Sequence, residues 1–337
     1  MGCSFSGLNA LYDAVSGGPD VWINDRRFRI LRTLGEGGFS FVHLVKEQPG
    51  GRPGKQPSNP SLISDDGLYA LKKVVIQTEE QLELVKKEIY TTNLFNHPNL
   101  LPLIDHAIIS VKGPQEGTWN QEAYLLFPVC LEGTLFDILS AMHERKEYFS
   151  SVAVLKIFRQ ICAGLKYMHS LDPPYAHNDL KPANILLPNK KDDNPVVMIM
   201  DFGSATPARR CIRSRAEALA VQEWASQHCS APYRAPELWD CPSQFNLDEK
   251  TDIWSLGCTL YAIMYGDSPF EYSLGESGGS LQLAVMNGQV KWPVGPNKPY
   301  LDSLRQFVMW MLKPQVELRP TIDDVILHVD KLLTKFT

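Results

Sequence analysis

The sequence predicts an α+β fold in two parts, a strand-rich first third and a helix-rich remainder, and three observations carry that reading. From Phe28 to Glu47, "FRILRTLGEGGFSFVHLVKE" alternates apolar and polar residues around a glycine cluster, as a strand–turn–strand hairpin does. In "VAVLKIFRQICAGLKYMHS", Val154, Ile157, Phe158, Ile161, Leu165 and Met168 instead recur at helical intervals. "DIWSLGCTLYAIMYG" is apolar nearly all round, which predicts a helix buried on every side. The change of character places the junction near residues 128–133, with an N-lobe of about 22–129 and a C-lobe of about 130–337.

The smaller elements follow from local signals. "LYALKKVVI" and "AYLLFPVC" read as further strands, the second with Pro128 near its end. Thr78 and Gln81 have capping-box spacing, and Leu82, Val85 and Ile89 follow at helical intervals. That helix is expected to end near His97-Pro98, because a residue before proline disfavours the α region. Residues 48–67, "QPGGRPGKQPSNPSLISDDG", are rich in Gly, Pro and Ser and read as an exposed insertion.

Composition narrows the function. The net charge of −5 and scattered Lys and Arg give no broad positive field, so no nucleic-acid partner is expected. The seven cysteines form no Cys-x-x-Cys pair, which argues against a zinc site or a disulfide framework and suits a reducing compartment. The first residues, "MGCSFS", match the myristoylation pattern at Gly2, with Ser6 in the hydroxyl position and Cys3 beside it for a palmitoyl chain. Residues 1–21 are therefore expected to be an acylated segment whose partners are membrane lipids. One myristoyl chain gives only about 10⁴ M⁻¹, so stable anchoring needs the second.

Three groups in "YAHNDLKPANILL" suggest the chemistry. Asp179 can accept the proton of an attacking hydroxyl and aim it. Lys181 can neutralise charge on a phosphoryl group in transfer. Asn184 can offer a neutral oxygen, and Asp201 of "IMDFGSA" an anionic one, to Mg²⁺, which takes few protein ligands. Gly35, Gly37 and Gly38 in "LGEGGFSFV" would let backbone N–H groups approach phosphates, with Phe39 excluding water. Taken alone, that cluster also reads as an ordinary turn. Lys72 would hold the α and β phosphates if paired with Glu88, on the same helix side as Leu84 and Val85. Lys73, Lys86 and Lys87 read as solvated.

Taken together, these pieces resemble the eukaryotic protein kinases from about Phe28 to Leu333. The matching stretches are "GEGGFSFV", "YALK" with Glu88, "HNDLKPAN", "DFG", "APE" and "DIWSLG". The resemblance implies the bilobal kinase fold, ATP and Mg²⁺ as cofactors, and protein substrates. It implies a pair of Glu237 with Arg319, a structural Asp252, and Ser230 near the catalytic Asp and Lys. "DLKPAN", with Lys181 in place, is similar to the serine/threonine type. By the same resemblance, Leu34, Val42 and Ala70 line an adenine pocket with Phe127 behind it. Backbone groups of Pro128 and Cys130 meet the adenine edge, and Glu36 and Ser40 complete the phosphate loop. Loss of Lys72, Asp179 or Asp201 would have pointed to a non-catalytic membrane scaffold; all three are present.

The chain is most similar to the Numb-associated kinase family and, within it, to myristoylated and palmitoylated serine/threonine kinases. "RSRAEALAVQEWASQHCSAPYRAPE" carries a helical pattern through Ala216, Leu219, Ala220 and Trp224, where that family has an added helix. Two positions depart from the wider kinase pattern. Ser40 replaces a third glycine. Asn178 replaces the arginine that usually pairs with a phosphorylated activation segment. Packing of a helix around Ala216–Gln227, rather than phosphorylation, is therefore expected to hold this segment; the alternative is that Arg209 or Arg210 supplies the pairing to a phosphate.

Overall fold

The computed structural model describes residues 18–37, 40–49, 66–112, 119–188, 196–271, 279–293 and 300–336. Gly2, Cys3, Gly38, Phe39 and residues 50–65 of the insertion lie outside them. Two units are present, one running to Asn96 and including Leu101–Cys130, the other comprising His97–Leu100 and everything from Leu131.

In the first unit the alternating stretches become strands β1 (Asp20–Ile23), β2 (Arg26–Gly37), β3 (Ser40–Gln48), β4 (Leu68–Ile76), β5 (Asp105–Lys112) and β6 (Trp119–Pro128). They form one antiparallel sheet in the order β1-β2-β3-β4-β6-β5. Side chains in a strand point alternately to opposite faces. Val45, Tyr69, Leu71, Tyr124 and Leu126 accordingly form one core with Val21, Ile23 and Phe28. The alternate residues Val42, Ala70, Lys72, Leu125 and Phe127 occupy the other face, with Val42 and Leu125 flanking Lys72.

Helix α1 (Glu79–Leu94) packs on that second face, Val85 and Ile89 meeting Ile76, Ala123 and Leu125. Its capping box is formed: Gln81 N–H donates to Thr78 Oγ1 at 3.2 Å, and Thr78 N–H to Gln81 Oε1 at 3.2 Å. The helix stops at Leu94, short of His97-Pro98, with Phe95 extended as its C-cap. The cause is long-range. Residues 97–100 belong to the second unit, where Leu100 bridges Ile199 and Ile199 N–H donates to Asn99 O at 2.9 Å.

The second unit holds α2 (Leu135–Glu144), α3 (Ser151–His169), α4 (Arg215–His228), α5 (Pro236–Trp239), α6 (Lys250–Tyr265), α7 (Leu281–Asn287), α8 (Asp302–Met311) and α9 (Ile322–Phe336). Three short ribbons join them: β7 (Tyr175–Ala176) with β10 (Thr206–Pro207), β8 (Ile185–Leu186) with β9 (Met198–Ile199), and β11 (Arg210–Ile212) with β12 (Phe245–Leu247). The six apolar positions read from α3 are all buried. In α6 every residue from Thr251 to Tyr265 is buried. No helix among the described residues is long and apolar enough to cross a membrane.

α6 lies so close to α8 that a Cβ on Gly257 would meet Leu312 Cδ2 at 2.9 Å and Met311 Cβ at 3.0 Å. Overpacking a filled core costs about 1–3 kcal/mol. Gly257→Ala is therefore expected to lower the thermal midpoint by several degrees in calorimetry, although alanine has the better helix propensity.

Candidate active site

In the first unit the β4 register sets Lys72 between Val42 and Leu125, facing α1. Its Nζ donates to Glu88 Oε1 at 2.6 Å. Glu88 is buried with Val85 and Ile89, whereas Leu84, expected on the same side, is 48% exposed. Lys73 points to the opposite face and is not simply solvated, since it pairs with Glu122 at 2.8 Å. Lys86 is exposed and bound to Glu83.

Ala70 and Phe127 are directly opposed on the Lys72 face. Leu34 falls at a register shift between the Thr33–His43 and Gly35–Val42 pairs, outside that aligned row. Pro128 ends β6 opposite Tyr69, and Cys130 follows it. Gly37 pairs with Ser40 in the hairpin, beyond exposed Glu36. A Cβ on Gly35 would meet nothing within 4 Å. Packing among the described atoms thus does not require glycine there, and the open space suits a group arriving from outside.

The second unit assembles its polar groups around Asp179. Ser230 N–H donates to Oδ1 at 2.8 Å. Lys181 Nζ donates to Oδ2 at 2.8 Å and to Ser230 Oγ at 2.6 Å. Asn184 Nδ2 donates to Asp179 O at 2.8 Å and to Oδ2 at 3.1 Å. A carboxylate has about four accepting positions. Ser230, Lys181 and Asn184 occupy three, leaving one for an incoming hydroxyl.

The β8–β9 ribbon aligns Ile185 with Ile199, so Asn184 and Asp201 lie at the same end of it. Met200 N–H donates to Asn184 O at 2.9 Å, closing that end. Asp201 is exposed and in the left-handed region at φ 64. With its nitrogen committed to Asp179, the Asn184 amide has its oxygen to offer. One amide oxygen and one carboxylate suit a small divalent cation that completes its shell with water and phosphate. Among the described residues no group of three or more His, Cys, Asp or Glu could hold a metal ion.

Asp252 holds the loop's backbone. Its buried carboxylate accepts His177 N–H at 2.8 Å and Asn178 N–H at 2.9 Å, and His169 Nε2 lies 3.0 Å away. His177, to which sequence reasoning gave no role, is buried against Phe202 with ring centroids 5.7 Å apart. Its Nδ1 accepts Asp179 N–H at 3.2 Å and its Nε2 faces Met200 O at 3.1 Å. This ring links the Asp179 and Asp201 loops; its signal was an isolated His just before the acid. Arg319, also buried, donates to Glu237 Oε1 at 2.7 Å and Oε2 at 2.6 Å.

Asn178 stands in the left-handed region at φ 66, which asparagine tolerates well. Its Nδ2 lies 3.0 Å from Ser204 O, 3.0 Å from Thr206 Oγ1 and 3.3 Å from Ala176 O. The uncharged side chain thus fastens the catalytic loop to the segment after Asp201. α4 exists almost where the sequence placed it, but turned. Ala218, Val221 and Ala225 are buried with Ile212, Leu238, Cys241 and Leu247, while Ala216, Leu219 and Ala220 face outward. Arg209 is engaged by Glu249 at 3.0 Å. The six described cysteines are all free; burial pushes the Cys229 thiol up to about 12.

The protein kinase domain family matches residues 28–329. The chain belongs to that family. It is an enzyme, and a protein kinase uses ATP and a divalent metal and acts on proteins. Three relatives extend the likeness. Serine/threonine-protein kinase 16 of Homo sapiens is 34% identical over 312 residues, covering 93% of this chain and 92% of that protein. A probable serine/threonine-protein kinase of Dictyostelium discoideum is 30% identical, with 92% of this chain and 95% of that one covered. Serine/threonine-protein kinase ppk13 of Schizosaccharomyces pombe is 30% identical, with 92% of each covered. The kinase fold, a β-rich first part and a helical second, is thus reached from the residues and from kinship alike.

Proposed function

We propose that this kinase is a membrane-anchored serine/threonine protein kinase that transfers the γ-phosphoryl of ATP to protein hydroxyls. Its activation segment would be held by packing rather than by phosphorylation. We place it in the Numb-associated group, near the myristoylated and palmitoylated kinases, with residues 1–21 as the acylated segment and 22–337 as the kinase domain. The observation that carries the catalytic reading is the Asp179 carboxylate, with three donors around it and one accepting position left.

Each unit contributes its own part. In the first, Lys72, with its charge balanced by Glu88, would bind the α and β phosphates, and the Gly35–Ser40 loop would cover them. Leu34, Val42, Ala70, Phe127, Pro128 and Cys130 would receive the adenine. In the second, Asp179 would orient the hydroxyl and take its proton, and Lys181 would offset charge on the phosphoryl oxygens. Asn184 and Asp201 would hold magnesium, which when bound neutralises phosphate charge. Because the transition state is loose, positioning and electrostatics supply most of the acceleration.

The test is labelled ATP offered with protein and sugar acceptors. Label should appear on serine or threonine of protein; transfer to sugar instead would overturn the reading. What supports phosphorylation-independent activation is Asn178, whose amide reaches Ser204 and Thr206 without any charge. Phosphatase treatment is accordingly expected to leave turnover within about twofold, whereas a kinase ordered by charge-assisted phosphate contacts would lose far more. The anchoring proposal rests on Gly2 and Cys3. Gly2→Ala should abolish myristate incorporation and move the protein from the cytoplasmic face of Golgi or plasma membrane to the soluble fraction.

A further inference from the structure

A cavity of about 330 Å³ lies beside Asn178 in the second unit, and neither Asp179 nor Lys181 lines it. That volume is at the lower end of the roughly 300–1,000 Å³ of small-molecule sites. One wall is apolar: Val221 and Trp224 of α4, Leu238 of α5 and Leu247 of β12. These residues belong to, or pack against, the core that seats α4, so an occupant would extend that core. Trp224 is braced by stacking on His228, ring centroids 4.9 Å apart.

The rest of the lining is largely polar, and its unbalanced charge is that of Arg210, which pairs across the β11–β12 ribbon with Leu247 and so stands beside the apolar wall. Arg209 and Arg210 line the cavity, and no Asp or Glu does. Arg209 gives Nε and Nη2 to Glu249 and keeps Nη1. Arg210 is exposed on β11 and has no ion-pair partner among the described residues. A guanidinium without a carboxylate, beside an aromatic wall, selects an anion with a flat apolar body. The guanidinium fork matches a carboxylate in geometry and charge.

We propose that this cavity is an effector site for a small aromatic carboxylic acid, its carboxylate on Arg210 and its ring against Trp224 and Leu247. The lining includes two stretches of the activation segment, Thr206 to Arg210 and α4, so an occupant ties the two together. A ligand that binds only the assembled arrangement stabilises it by mass action. The inference goes beyond the proposed phosphotransfer and does not rest on it, because it is read by binding.

The test uses the full-length protein and 1-naphthoate as probe, in calorimetric titration with and without saturating ATP. Saturable binding that persists with ATP is expected, with slower hydrogen exchange across residues 206–228. Arg210→Gln, a change at an exposed side chain, should weaken binding at least about tenfold, the worth of one charge-assisted contact. Neutral 1-naphthamide should bind weaker by a similar factor. Leu247→Phe, which narrows the cavity next to Arg210 without touching its charge, should weaken naphthoate while leaving ATP binding unchanged. Absence of saturable binding, displacement by ATP, or indifference to Arg210→Gln would overturn the proposal. So would inorganic phosphate binding as tightly as naphthoate, since the apolar wall would then contribute nothing.

Discussion

Asp179→Asn is expected to lower turnover by roughly 10²–10⁴-fold, the range for removing a positioned general base, while nucleotide affinity stays near wild type. The substitution keeps shape and one accepting oxygen but replaces the other oxygen with a donor. Lys181 Nζ and Ser230 N–H, now on opposite oxygens, cannot then both donate to this side chain; Lys181 would keep only Ser230 Oγ, or Ser230 N–H would lose its acceptor. Leaving one such donor unmet costs about 1–3 kcal/mol, so a modest fall in thermal midpoint should accompany the loss of rate. Measuring ATP binding beside label transfer separates the two effects. A collapsed fold loses both, whereas a missing base loses transfer alone. Turnover within tenfold of wild type in a folded variant would take Asp179 out of the proton-accepting role.

Much of this site could be read before any coordinates, and the reason is local. Asp179, Lys181 and Asn184 sit within a few residues of one another, so spacing alone limits where their side chains go. In sequence, Lys72 reads as the phosphate-binding lysine and Lys73 as solvated; strand alternation sends the two to opposite faces, and each finds its own carboxylate. The Glu122 partner of Lys73 could not be read, because it lies on β6, about fifty positions away. What could not be read depends on distant chain. α4 carries small residues on every side, so its pattern does not choose a face. Leu238, Cys241 and Leu247 choose it, burying Val221 and leaving Leu219 49% exposed. The early stop of α1 has a similar origin, since residues 97–100 pair with a strand about a hundred positions later. The place of His177 before the acid hinted at a role but not at the link, because its second partner, Met200 O, belongs to another loop.

Arg319→Met should be the most damaging single change to stability, about 3–5 kcal/mol, the usual cost of leaving one partner of a buried ion pair alone. Both carboxylate oxygens of Glu237 would lose their donors in a region almost without water. Replacing both partners of a buried pair by apolar residues is often neutral or stabilising. Here it should not be. Arg319 also donates to Lys313 O at 2.7 Å, Lys250 O at 3.0 Å and Pro314 O at 3.2 Å. Arg319→Met with Glu237→Leu removes the stranded carboxylate but leaves those three carbonyls without the guanidinium. The double variant should therefore recover only part of the loss, as unmet acceptors still cost about 1–3 kcal/mol each. Denaturant titration of the wild type, both single variants and the double variant gives the complete cycle. Full recovery in the double variant would mean that Arg319 serves only the charge of Glu237. Partial recovery would make this arginine the tie between the α5 segment, the start of α6 and the turn after α8. The buried Trp254 ring beneath its guanidinium, 5.2 Å away, fixes the plane in which those bonds are made.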